Sequence, residues 1–121
     1  MQKILVIEDD PFLRELTTQK LSKEGYEVFE SADGEKGLEL AKEKKPNLVL
    51  LDMMLPGIDG FRVLQHLKEN HATNSIPVVI LSNLGGKEDV ERALELGAAD
   101  FLIKVQFTPE EVIEKIRTHL A

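Results

Sequence analysis

The chain's 121 residues suit one domain of the usual size, roughly 100 to 150 residues, and are too few for two, so residues 1–121 are expected to form a single domain. It contains no cysteine, which excludes disulfides, thiolate metal sites and cysteine nucleophiles, and its formal charge of −7 argues against binding nucleic acid or an anionic membrane. No apolar run approaches the ~18 residues of a spanning helix, and the N-terminal segment runs into three acids that no signal peptide's apolar core would tolerate, so a cytoplasmic location is expected.

Ile4-Leu5-Val6-Ile7 is a continuous apolar run, the pattern of a strand buried on both faces. Pro11 suits the first turn of a helix capped by Asp10, with Leu13, Leu16 and Leu21 on one face and Gly25 as its stop. Tyr26 to Glu30 reads as a second, less buried strand, and Gly34 to Lys44 as a helix with Leu38, Leu40 and Ala41 apolar, ended by Pro46. Leu48-Val49-Leu50-Leu51 is the most apolar strand and leads straight into Asp52. After a turn at Pro56-Gly57 comes a helix with Phe61, Val63, Leu64 and Leu67, then a fourth strand over Ile76 to Leu81. A helix over Lys87 to Leu96 should turn Val90, Ala93 and Leu94 inward, with Gly97 as its stop, before a short fifth strand at Phe101-Leu102-Ile103. Thr108-Pro109-Glu110-Glu111 is a capping box that opens a last helix, whose buried stripe is Val112, Ile113, Ile116 and Leu120. Strands alternating with helices predict a five-stranded parallel sheet, doubly wound, with helices on both faces.

In such sheets sites form beyond the carboxyl ends of the strands. Those ends carry Glu8-Asp9-Asp10 after the first strand, Asp52 after the third, Ser82 after the fourth and Lys104 after the fifth. Three of these have bland readings, Asp10 as a helix cap, Ser82 as a turn former and Lys104 as a solvated cation, but Glu8 and Asp9 precede the cap, which explains them less well. Asp52 resists a bland reading, because a carboxylate at the end of the most buried strand needs a balancing cation. His66, His71 and His119 read as surface residues, and Met53-Met54 as loop and rim packing. Oxygen ligands without cysteine suit Mg²⁺ or Mn²⁺ better than zinc. Acids, one hydroxyl and one lysine are together the equipment for holding a phosphoryl group, with a carboxylate as nucleophile.

Four segments, Ile4 to Asp10, Leu50 to Gly60, Pro77 to Ser82 and Gly97 to Lys104, resemble in order the motifs of bacterial two-component response-regulator receiver domains, and the likeness covers essentially the whole chain. The resemblance implies the flavodoxin-like strand order 2-1-3-4-5. It implies that Asp52 accepts a phosphoryl group from a histidine kinase or phosphotransfer protein. Asp9 and Asp52 would then ligate the metal directly, Glu8 through water, and the Met54 backbone carbonyl would add a ligand. Ser82 and Lys104 would hold the phosphoryl oxygens. Ser82 and Phe101 would act as the switch, reshaping the face of helix 4, strand 5 and helix 5 that binds partners or a second copy. Such a domain promotes only its own phosphorylation and dephosphorylation and is not an enzyme acting on other molecules.

Two departures stand out. Val105-Gln106 follows Lys104 where the family has one proline after a cis bond, and Asn83 replaces a small residue after Ser82. A cis bond before valine costs about 2.5–4 kcal/mol, so a trans bond is expected. Met54 and Leu84, which flank the path of an attacking water in this family, are apolar, so self-dephosphorylation should be slow.

Other functions fit less well. An aspartate-nucleophile phosphatase would need an acid where Met54 stands, and no glycine-rich phosphate loop is present for a nucleotide hydrolase or a flavin. A degenerate receiver, binding partners without phosphorylation, is the remaining alternative. The sequence does not distinguish a stand-alone regulator from a domain of a longer protein with an output domain.

Overall fold

The computed structural model describes residues 1–120, and its elements follow from the alternation of apolar and capped segments. The strands are β1 (Lys3–Ile7), β2 (Glu27–Ser31), β3 (Leu48–Leu51), β4 (Val78–Ser82) and β5 (Asp100–Ile103). The helices are α1 (Pro11–Lys23), α2 (Gly34–Lys44), α3 (Gly60–Glu69), α4 (Lys87–Glu95) and α5 (Pro109–His119). All strand pairs are parallel, in the order β2-β1-β3-β4-β5. The observed strand bounds lie within two residues of those read from the sequence.

Alternation along the strands splits the interior into two cores. Leu5, Ile7, Val49, Leu51, Val78 and Ile80 face α2, α3 and α4, whereas Ile4, Val6, Leu48, Leu50, Val79 and Leu81 face α1 and α5. The central strands are apolar on both sides for this reason. The caps expected from sequence are present: the Asp10 carboxylate accepts from the N–H groups of Phe12 and Leu13, and Thr108 and Glu111 form the reciprocal capping box.

Two apolar side-chain placements differ from expectation. Leu94 is 47% exposed, because α4 lies over the sheet's edge strand and only a narrow stripe centred on Ala93 is covered. Met53 belongs to the interior at 2% exposure, while Met54 points outward, so the pair divides between core and rim.

Glycines do work that periodicity does not reveal. Gly25 closes α1 at φ +94°, a region open to glycine at little cost. Gly60 has an ordinary backbone conformation but lies against the Met53 Cα and the Asp52 carbonyl, so a Cβ there would overlap backbone that cannot yield without moving Asp52. Gly60→Ala should therefore lower the unfolding free energy by about 1–3 kcal/mol, outweighing a helix-propensity gain of at most about 1 kcal/mol. Urea unfolding followed by circular dichroism checks this, and unchanged or increased stability would refute the close approach.

Candidate functional site

β1 and β3 are neighbours, and their parallel register pairs Ile7 with Leu51, so the next residues, Glu8 and Asp52, emerge side by side. The Asp52 N–H donates to the Ile7 carbonyl (3.0 Å), which fixes that juxtaposition. Glu8 and Asp52 are 5% and 4% exposed, whereas Asp9 is exposed. Ligand oxygens of Glu8, Asp9 and Asp52 all lie within 4.8 Å of one another.

Lys104 lies between the two buried acids. Its Nζ donates to Glu8 Oε1 at 2.7 Å and to Asp52 Oδ2 at 2.8 Å. Asp52 Oδ1 accepts from the Met54 N–H (3.0 Å), and Glu8 Oε2 accepts from the Asp10 N–H (3.1 Å). The expected trans bond after Lys104 is observed: the described residues contain no cis peptide, and Lys104–Gln106 form a short 3₁₀ turn. The turn leaves Val105 exposed to solvent, yet the ammonium still reaches both acids.

One ammonium cannot balance two carboxylates in a buried site. The Glu8 carboxyl is accordingly pushed up to about 7 from its ordinary 4.5, first by burial and further by the charge of Asp52, against the opposing pull of its bond to Lys104. Burial works against the charge of Lys104, but its bonds to Asp52 and Glu8 outweigh this and hold its pKa above the ordinary value. A hard divalent cation fits this donor set: three clustered carboxylates, no nitrogen or sulfur ligand among them, and negative charge in excess.

Not every expected residue joins the cluster. Ser82 is fully buried at the end of β4, and its hydroxyl accepts from the Leu84 N–H (3.3 Å) in a local turn. Phe101 is half-buried on β5, packed against the core beneath α3 and α4, and Asn83 is exposed. The Met54 N–H faces Asp52 while its side chain is 58% exposed. His66 and His71 are exposed as expected, but His119 is half-buried and its Nε2 lies 2.9 Å from Asp100 Oδ2.

Periodicity also missed Arg14. This α1 side chain donates from Nη1 to the Glu8 carbonyl (2.9 Å) and from Nε to Glu30 Oε1 (3.1 Å). The available signal was Glu30, a lone acid on the strand face that also carries Val28.

The family model described as the response regulator receiver domain matches residues 4–117. The chain is similar to the DNA-binding dual master transcriptional regulator RpaA of Synechocystis, at 41% identity over 99% of this chain and 49% of that protein. It is also similar to the phosphate regulon transcriptional regulatory protein PhoB of Escherichia coli, at 39% identity over 96% of this chain and 50% of that protein. The chain thus spans about half the length of the curated relatives it matches. Among solved structures, the BeF3-activated N-terminal receiver domain of Klebsiella pneumoniae RstA superposes with a TM-score of 0.89 at 33% identity, covering 98% of this chain and 97% of that one. The chemotaxis protein CheY4 of Vibrio cholerae superposes with a TM-score of 0.92 at 25% identity, covering 99% of each chain.

The raised Glu8 pKa has a consequence for stability. The folded chain holds this proton more tightly than the unfolded one, so the contribution is complete below the ordinary 4.5 and is lost as pH rises through about 7. In chelator, the unfolding free energy should fall from about pH 5 to about pH 8 more steeply for the parent than for Glu8→Gln, which carries no titrating charge. Parallel profiles for the two proteins would show that Glu8 titrates normally.

Proposed function

The chain belongs to the response regulator receiver domain family, a signalling family of two-component systems, and on that premise we propose that Asp52 is its phosphoacceptor. The observation that carries the proposal is the Lys104 ammonium held between Asp52 and Glu8, beside Asp9, at the carboxyl edge of the central strands. An Asp52 carboxylate oxygen attacks phosphorus, the bond from phosphorus to the donor breaks, and the donor leaves with the electron pair, giving an acyl phosphate on Asp52. The phosphodonor in this reading is a histidine kinase or phosphotransfer protein.

Asp9, Asp52 and the Met54 carbonyl, with Glu8 through water, are the groups we assign to a divalent cation, Mg²⁺ or Mn²⁺. That ion would neutralise charge on the phosphoryl oxygens. Lys104 begins on Asp52 Oδ2 and Glu8 Oε1, and it moves onto a phosphoryl oxygen as one forms on Asp52. Ser82, whose Oγ accepts from the Leu84 N–H, has its own O–H to donate to a phosphoryl oxygen from the α3/α4 side of the sheet. Movement of Ser82 toward that oxygen, with reorientation of Phe101, is the proposed link to the α4–β5–α5 face, where a downstream partner or a second copy would bind. Relatives such as RpaA are named as DNA-binding regulators, which supports a DNA-binding output acting with this domain. Among the described residues no helix is long and apolar enough to cross a membrane.

The altered turn after Lys104 is where a degenerate receiver would reveal itself, and the ammonium is aimed at Asp52 all the same. We therefore favour phosphorylation over a phosphorylation-independent binding role. Incubation with Mg²⁺ and acetyl phosphate should add one phosphoryl mass to the parent and none to Asp52→Asn or to a chelated control. Absence of the gain in folded, Mg²⁺-binding protein, both with acetyl phosphate and with a histidine-phosphorylated donor, would favour the degenerate reading. The added mass should decay slowly, because neither Met54 nor Leu84 can orient a water, and Met54→Asn should hasten its loss.

A further inference from the structure

We propose that Arg14 is a positioning residue for the cation site, an inference that rests on the assignment of that site to Mg²⁺ or Mn²⁺. Two of the three clustered carboxylates, those of Glu8 and Asp9, are consecutive residues, so the orientation of the peptide joining them decides whether both can reach Asp52. Three bonds hold this turn: the Glu8 N–H donates to the Ser31 carbonyl (3.0 Å), the Asp10 N–H to Glu8 Oε2 (3.1 Å), and Arg14 Nη1 to the Glu8 carbonyl (2.9 Å). The Arg14 bond is the one that grips the Glu8–Asp9 peptide itself.

Arg14 is well placed to impose an orientation. It lies in the first turns of α1, which the Asp10 cap anchors immediately after the acidic turn, and the Arg14 N–H donates to the Asp10 carbonyl (2.9 Å). Its side chain is 19% exposed, and its Nε is held by Glu30 on the neighbouring strand β2. Two bonds from one planar guanidinium, to a backbone carbonyl and to a carboxylate, fix the group in a way a lysine ammonium does not reproduce. Asp9, by contrast, is exposed and has no hydrogen bond or ion pair among the described residues, so its placement depends on its backbone. Outer partners that orient metal ligands in this way typically change metal affinity 10–100-fold when removed.

Charge and positioning make opposite demands here. Arg14 is a cation close to a cation site, so on electrostatics alone its removal should tighten Mg²⁺ binding. If it positions Glu8 and Asp9, removal should weaken binding. The test is Mg²⁺ titration by calorimetry of the full chain, parent against Arg14→Met and Arg14→Lys, with urea unfolding in chelator for each.

Expected is about tenfold weaker Mg²⁺ binding for Arg14→Met, and a smaller loss for Arg14→Lys, which keeps the charge but not the fork. Tighter binding by Arg14→Met, or affinities within about twofold of the parent in both variants alongside lowered stability, would overturn the proposal and leave Arg14 an electrostatic or purely structural residue. If Arg14→Met does not fold, Arg14→Lys decides by the same comparison. A parent that does not bind Mg²⁺ would defeat the cation reading and this inference with it, whereas normal parental binding with unaltered variants would defeat only the inference.

Discussion

The Lys104 ammonium, shared between Glu8 and Asp52, is the interaction on which the rest of the site depends. Parallel strands end together, and here their ends bring two acids into a buried position where neither is tolerable alone. A single lysine makes the arrangement possible without making it neutral, and the pKa of Glu8 stays raised, first by burial and then by the charge of Asp52. Replacing such a group by removing one partner typically costs on the order of 3–5 kcal/mol, whereas an entirely apolar cluster would often be as stable. The site is thus better explained by what it can bind than by what it contributes to folding.

The two-core construction of the sheet gives the site its reach. Continuing the alternation of β1 and β3 by one residue puts Glu8 and Asp52 on the side of α1 and α5, with Val6 and Leu50. Ser82 follows Val78 and Ile80 on the opposite side, and Phe101 shares that side. A phosphoryl group held by both Lys104 and Ser82 would draw on elements from both faces at once. Moving a two-state equilibrium from 1:99 to 99:1 needs about 5.5 kcal/mol of differential stabilisation. A few charge-assisted hydrogen bonds are of that order together, so partial switching is the natural expectation.

Much of this was legible in the residues because the fold is built from local rules. Four apolar runs, the Asp10 cap and the Thr108–Glu111 box each announce their element, and the polar residues at the strand ends locate the site. What escaped are relations between elements. Leu94 has helical spacing suited to burial, but the sheet ends beneath it. Gly60 carries no periodic signal, although its role is to let α3 approach Asp52. Arg14 has no place in the apolar pattern of α1, and only the folded chain shows it gripping the Glu8 carbonyl. His119 likewise acquires its partner Asp100 from across α5 and β5. The replacement of proline by Val105-Gln106 is absorbed by a 3₁₀ turn that leaves Lys104 on its acids.

The central claim is that Lys104 is a movable counter-charge, seated on carboxylates and transferable to a phosphoryl group on Asp52. A crystal structure of the chain with Mg²⁺ and beryllofluoride, a phosphoryl mimic, tests it most directly. The account predicts beryllium joined to an Asp52 carboxylate oxygen, the metal touching Asp9 and Asp52, and Lys104 Nζ shifted from Glu8 onto a fluoride. A mimic bound elsewhere, or seated on Asp52 with Lys104 still bridging Glu8 and Asp52, would contradict it.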